Sequence, residues 1–145
     1  MSAVTVTYRT LRRRGGEEAG MVTAFVVIFT LALLVMAGLV LDGGLALAAK
    51  VQAIDAAQAA ARAGAQAIDI PTYRATGQIT LDAAQATADA QGFLAAAGEH
   101  GTVTVAGETV DVTVTITQPT QILSVVGVDQ LTVTGAGSAT AQQGP

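Results

Sequence analysis

The sequence contains no cysteine and no tryptophan, and aromatic residues make up only 3% of it. The absence of cysteine excludes disulfides, thiolate catalysis and cysteine-based metal binding. Two tyrosines and three phenylalanines cannot fill a large aromatic core either. Small aliphatic side chains must therefore hold together whatever part of the chain folds.

Patterns typical of catalysis or cofactor binding are missing as well. The single histidine, His100, stands between Glu99 and Gly101 and has no second histidine or cysteine with which to share a metal. The glycine pair Gly43-Gly44 lacks the strand, lysine and helix that surround a phosphate-binding loop. We therefore predict that the protein is not an enzyme and that it uses no cofactor, metal or small-molecule substrate.

Charged residues are scarce, at 12%, and they are unevenly placed. Four arginines precede residue 20, whereas residues 42–145 carry three basic and nine acidic side chains. Binding to phosphates requires clustered lysine and arginine, which release counterions from the nucleic acid. The acidic majority of the chain therefore argues against a nucleic-acid partner.

One long uncharged run, residues 21–41, dominates the N-terminal third. As a helix rising ~1.5 Å per residue it would span roughly 31 Å, about the thickness of the hydrocarbon core of a bilayer. The arginines before it and Asp42 after it place the N-terminus in the cytoplasm. We predict a single-pass protein of the cell membrane, with a cytoplasmic basic leader (1–20), a transmembrane helix (21–41), an extracytoplasmic α+β domain (42–141) and a tail (142–145).

A cleaved secretory signal is the alternative for this run, because the AxA-like site Ala46–Ala48 lies just downstream. The apolar core of a signal peptide usually has about 7 to 15 residues, and this run is longer. The small residues near the site also continue into a helix-forming segment. These two observations favour a permanent membrane anchor.

Residues 45–68 are rich in alanine and contain no proline, which predicts that the membrane helix continues into the aqueous phase. Gly43 and Gly44 each cost on the order of 1 kcal/mol relative to alanine in a helix, so we expect a bend or flexible joint there. Beyond them, polar residues gather on one side of the helix and small residues on the other. The small side is a candidate helix-packing face, formed by Ala53, Ala57, Ala60, Gly64 and Ala67. The alternative is that alanine merely fills a permissive helix.

The next segment predicts a loop and a second helix. Pro71 is expected to end the first helix and residues 70–80 to form a loop. Thr80 offers an N-cap hydroxyl for a helix over residues 81–97, which ends at Gly98.

The C-terminal part changes to a period of two. Apolar residues alternate with threonine and aspartate over 110–117, and residues 103–105 mirror them across a turn, which predicts a hairpin. One or two helical turns over 122–128, a third strand over 131–134 and a small polar tail over 135–145 follow. The predicted fold class is α+β: a transmembrane helix continuing into a long alanine-rich helix, a second helix, and a small antiparallel, pilin-like sheet whose valines the alanine faces cover.

Several stretches of this sequence resemble one family. They are Gly20, the span with Ala24-Phe25, AGLVLDGG at 37–44, KVQAIDAAQAAARAGAQA at 50–67, and the strand, proline, short helix and strand over 113–141. This pattern resembles the TadE/TadG-like pilus assembly proteins of bacterial tight-adherence (Flp-type) systems. The resemblance implies a non-enzymatic, minor-pilin-like component of a Flp pilus or related type II/IV secretion apparatus that acts by helix packing. Its partners would be the bilayer and other components of the apparatus, or further copies of itself.

The resemblance also assigns residues. Asp42, Gln52 and Asp55 match family positions, and we expect Asp42 and Asp55 to act at the membrane exit and in assembly. A carboxylate at that exit is otherwise an interfacial polar cap. A candidate processing site lies at Gly20 and Met21. Phe25 stands where processed members carry glutamate, which favours an uncleaved chain. The alternative function is a free-standing membrane-anchored or secreted envelope domain with a binding role.

Overall fold

The computed structural model describes the backbone of residues 15–142 and the side chains of residues 20–142. The four arginines of the predicted leader and the last three residues of the predicted tail lie outside the described residues. The helices are α1 (Gly15–Gly64), α2 (Ile70–Thr76) and α3 (Ala83–Ala97), and the strands are β1 (Gly101–Ala106), β2 (Thr109–Pro119) and β3 (Gln130–Thr140). The predicted α+β class is confirmed.

The chain divides into two units between Ala37 and Gly38. The described part of the first unit is the N-terminal portion of α1, whose large apolar side chains are exposed. This helix is long and apolar enough to cross a membrane. The second unit contains the remainder of α1 and all the other elements.

Helix α1 runs without interruption through Gly43 and Gly44, so the expected joint does not break the helix. Extending a formed helix by one residue costs far less than nucleating a new one, and alanine and leucine follow the pair. The helix ends at Gly64, four residues earlier than predicted. The cause is a short antiparallel bridge between Ile68 and Leu81, which draws the chain away from the helical path.

The predicted loop over residues 70–80 is wrong, because it contains α2. Asp69 caps this helix: its carboxylate accepts hydrogen bonds from the Thr72 amide at 3.1 Å and from the Thr72 hydroxyl at 2.6 Å. Pro71 lies in the first turn, where a backbone N–H has no partner within the helix and its absence costs little. Gly77, at φ +72°, ends the helix.

The N-cap of α3 is Asp82 and not Thr80 as predicted. The Asp82 carboxylate accepts from the Ala84 and Gln85 amides, both at 3.1 Å. The Thr80 hydroxyl oxygen is instead buried without a hydrogen-bond partner. The predicted end of the helix is confirmed, with Gly98 in the left-handed conformation.

The three strands form one antiparallel sheet in the order β1-β2-β3. The predicted hairpin is confirmed, with Val103 opposite Val112 and Val105 opposite Val110. The predicted third strand is too short, since β3 extends to Thr140. The segment predicted as the start of a polar tail therefore pairs with β2 along its whole length.

The glycines of β3 explain that extension. A Cβ at Gly137 would lie 2.6 Å from the carbonyl carbon of Ala57, and one at Gly135 would overlap the backbone of Ala53. Helix α1 and strand β3 therefore meet backbone to backbone. The valines of β2 fill the neighbouring space with alanines of α1 and α3, so the predicted covering of valine faces by alanine faces is observed.

Candidate functional site

Asp42 is the one buried charged side chain among residues 20–142, with 1% of its surface exposed. Its carboxylate accepts three successive backbone N–H groups: Gln121 at 2.8 Å, Ile122 at 3.1 Å and Leu123 at 2.7 Å. These amides begin the 3-10 turn Leu123–Val126 in the β2–β3 connection, residues 120–129. Asp42 therefore caps a turn that lies about 80 positions further along the chain, an arrangement we call the Asp42 clamp.

The electrostatics of the clamp favour an ionised carboxylate. The hydrogen bond from the Leu123 amide is the main cause that lowers the pKa of Asp42 below its ordinary value, and the Gln121 and Ile122 amides act in the same direction. Burial opposes them. Because a carboxylate that accepts several N–H bonds is stabilised as the anion, the negative charge needs no basic partner.

Gly38, one helical turn before Asp42, is a second point at which the connection contacts α1. A Cβ at Gly38 would lie 2.6 Å from Cγ2 of Ile122, so the absence of a side chain lets Ile122 approach α1. Hydrogen bonds also join the two ends of the connection. The Thr120 amide donates to the Asp129 carbonyl at 3.0 Å, and the Thr120 hydroxyl donates to the Val128 carbonyl.

The structure places most of the predicted helix-packing face in the chain's own core. Ala53, Ala57 and Ala60 have no exposed surface. A Cβ at Gly64 would lie 2.7 Å from the Ala86 carbonyl oxygen, while Ala67 is partly buried beyond the end of α1. The sheet and α3 therefore occupy this face within the chain itself.

The opposite side of α1 remains open beyond the membrane run. Leu47 and Val51, one turn apart, are 66% and 51% exposed. Val51 and Asp55 line a shallow groove of about 530 Å³ together with Phe93 of α3. Asp55, which the resemblance assigned to assembly, is therefore exposed beside an apolar surface and is not part of the Asp42 clamp.

The candidate processing residues belong to the first unit. Gly20 and Met21 are exposed within α1, and the Phe25 ring stacks on Phe29 with centroids 6.0 Å apart. This i, i+4 pairing is that of a helix surface. Gly20 and Met21 stay a candidate processing site, and the uncleaved chain that Phe25 favours stays a prediction.

Sequence reasoning marked Asp42 but did not find its partner. The amides that it binds carry no sequence signal, and they come from a segment whose side chains are apolar. Gly38, which lies within the apolar run, was missed altogether. A glycine one turn before a lone aspartate is the local signal for a close approach at this point.

These features define a class: a single-pass membrane-anchored protein with an α+β domain. Among the side chains of residues 20–142, no group of three or more histidine, aspartate or glutamate residues is placed to hold a metal. Residues 20–67 match the family model of Flp pilus-assembly TadE/G-like proteins. The resemblance seen in the sequence is confirmed over this segment, about a third of the chain.

The matched segment contains the apolar span, Asp42, Asp55 and the packing face up to Ala67. It supports a role in Flp pilus assembly, and such assembly proteins are generally not enzymes. No curated protein and no solved structure matches the chain.

Proposed function

We propose that the protein is a non-enzymatic, minor-pilin-like structural component of a Flp-type (tight-adherence) pilus or a related type II/IV secretion apparatus. Its N-terminus lies in the cytoplasm and the part after Asp42 lies outside. One structural observation carries the proposal beyond the family match. The surface of α1 stays apolar and uncovered for several turns past the predicted membrane run, at Leu47 and Val51.

An exposed leucine and valine at i, i+4 spacing on a long helix form a surface suited to a second helix. The groove beside them, between α1 and α3, offers Phe93 as a further apolar contact and Asp55 as a charge at its edge. A subunit held in the same bilayer would approach from the side and meet this surface. The contact therefore lies opposite the small-residue face, which the chain's own sheet already uses.

Single-cysteine crosslinking tests the proposal cleanly, because the native chain contains no cysteine. Leu47→Cys and Val51→Cys probe the exposed side of α1 in cells that carry the complete apparatus. Ala57→Cys, at a site with no exposed surface, and Thr113→Cys, exposed on the sheet, are the matched controls. We expect the first two variants to crosslink to another pilus component or to a second copy, and the controls to stay unlinked.

The alternative function, a free-standing envelope domain with a binding role, predicts a different result. In that case all four variants remain unlinked, and deletion of the protein leaves pilus assembly intact. That pair of results would overturn the proposed function. Crosslinks from Thr113 alone would place assembly on the sheet and refute the assignment of the α1 surface.

A further inference from the structure

The β2–β3 connection exposes apolar side chains that the fold leaves uncovered. Val125 is 83% exposed and Val126 53% exposed, and Val128 adds a third apolar group. Residues 120–128 contain no charged side chain. Ordinary surface turns are built from polar residues and glycine, so three exposed valines within one turn indicate an apolar surrounding.

The clamp fixes where this turn lies. The Ile122 side chain contacts α1 at Gly38, which belongs to the last turn of the predicted membrane run. Gly38 lies three residues before Leu41, so Ile122 reaches about 4.5 Å below the end of that run at ~1.5 Å per residue. The neighbouring side chains of α1, Leu39 and Val40, are themselves exposed and apolar.

The geometry of the turn gives the direction of Val125. The Val125 amide donates to the Ile122 carbonyl at 3.1 Å, which is the i→i+3 bond of a 3-10 helix. In that helix the side chains at i and i+3 eclipse each other. Val125 therefore lies on the side of the turn that also carries Ile122, whose side chain contacts α1 at Gly38 within the predicted membrane run.

We propose that the β2–β3 connection is a second membrane contact, with Val125 and its neighbours Val126 and Val128 inserted into the interface of the leaflet from which α1 emerges. The partner is the lipid surface itself. Amphipathic segments that lie in the interface bury their apolar face about 5–10 Å into the boundary between headgroups and acyl chains, and Ile122 lies about 4.5 Å below the end of the apolar run. Because residues 120–128 are uncharged and the one charged residue of the connection, Asp129, is acidic, insertion depends on apolar burial and not on attraction to anionic headgroups. The inference depends on the membrane span and is independent of the pilus assignment.

Fluorescence quenching of the full chain in phosphatidylethanolamine–phosphatidylglycerol vesicles tests it without any other component of the apparatus. An environment-sensitive nitrobenzoxadiazole label is attached at Val125→Cys. The aqueous control is Ser138→Cys, on β3 beside Gly137, which contacts α1 about 15 residues past Asp42, or ~22 Å up the helix. The membrane control is Met36→Cys, inside the apolar run. All three labels sample the same mixture of orientations across the vesicle wall.

We expect the Val125 label to show blue-shifted emission, strong quenching by shallow doxyl lipids and weak quenching by iodide, while the Ser138 label shows the reverse. Adding Asp42→Ala should release the turn and restore iodide quenching at position 125 without changing the Met36 label. The inference is overturned if the Val125 label resembles the Ser138 label in vesicles. Protection that arises only in cells with the complete apparatus would also overturn it, since the turn would then contact a protein. If protection persists in Asp42→Ala, the clamp does not position the turn.

Discussion

The backbone contact between α1 and β3 predicts that Gly137→Ala destabilises the second unit, although it adds only one methyl group. A Cβ at this position would lie 2.6 Å from two backbone atoms, the carbonyl carbon of Ala57 and the Cα of Gln58. Carbon atoms prefer separations of about 3.5–4.0 Å. The helix and the strand must therefore move apart by roughly 1 Å, which loosens the alanines packed around the contact.

The expected magnitude follows from two opposing effects. Overpacking of a core costs about 1–3 kcal/mol. We expect a cost near the upper end of this range for Gly137→Ala, because backbone atoms cannot rotate away as a side chain can. Removing a glycine from a strand returns roughly 0.5–1 kcal/mol. The net loss is about 2 kcal/mol, or roughly 30-fold in the unfolding equilibrium.

Gly92→Ala is the matched control, because a Cβ at this helical position of α3 meets nothing within 4 Å. The same chemical change should stabilise the protein there by about 1 kcal/mol. Hydrogen exchange of the β2 amides, measured on the full chain in detergent micelles, reports both free energies. Exchange in Gly137→Ala that is equal to or slower than in the native chain would refute the backbone contact.

Three further outcomes are expected. Folding lowers the pKa of Asp42, so the clamp is at full strength above the ordinary value of 3.8 and is lost as the pH falls through the lower folded value. Amide exchange should show this loss at the three amides that Asp42 binds. This pH dependence of exchange should be absent in Asp42→Asn, because the clamp of that variant is already weak at neutral pH. It should be retained in the control variant Asp69→Asn. Val112→Ala, which empties a fully buried site, should cost about 2–3 kcal/mol in thermal unfolding, whereas Thr113→Ala on the exposed face stays within about 0.5 kcal/mol. Mass spectrometry of the native N-terminus should find an uncleaved chain, and a start at Met21 would contradict that expectation.

The elements with a clear period were predictable from sequence. Alternation of valine with threonine marks β2 because successive side chains of a strand face opposite sides, and all three of its central valines are buried. Gly98 marks the end of α3 for an equally local reason, since glycine adopts a positive φ without strain. In both cases the residues that decide the structure are neighbours in the chain.

The predictions were wrong where the same residue type is compatible with two different local structures. Pro71 predicts the end of a helix from sequence, although proline is equally suited to the first turn of one, as in α2, where Asp69 supplies the cap. Gly135 and Gly137 fit the predicted small polar tail, yet in β3 they are required by the helix that crosses them. That requirement comes from α1, about 80 residues earlier, and no local pattern contains it.

The candidate site shows the same division. The position of Asp42 directly after an apolar run could be read from the sequence, but its three donors could not. Backbone amides are present in every non-proline residue, so only the folded chain selects which of them a buried carboxylate binds. The small-residue face could be listed from the sequence, whereas the elements that pack on it, the sheet and α3, depend on tertiary packing.

The placement of the clamp has a mechanical consequence. The β2–β3 connection grips α1 at Gly38 and Asp42, and β3 grips it at Ala53 and Ala57. Between these two points lie Gly43 and Gly44, the residues at which an unsupported helix would flex most easily. The β2–β3 connection and β3 thus hold α1 on both sides of the glycine pair, where the helix is easiest to bend. While the clamp holds, these two contacts support the helix between residues 38 and 57, and we expect that opening the clamp makes the glycine pair its most easily bent point.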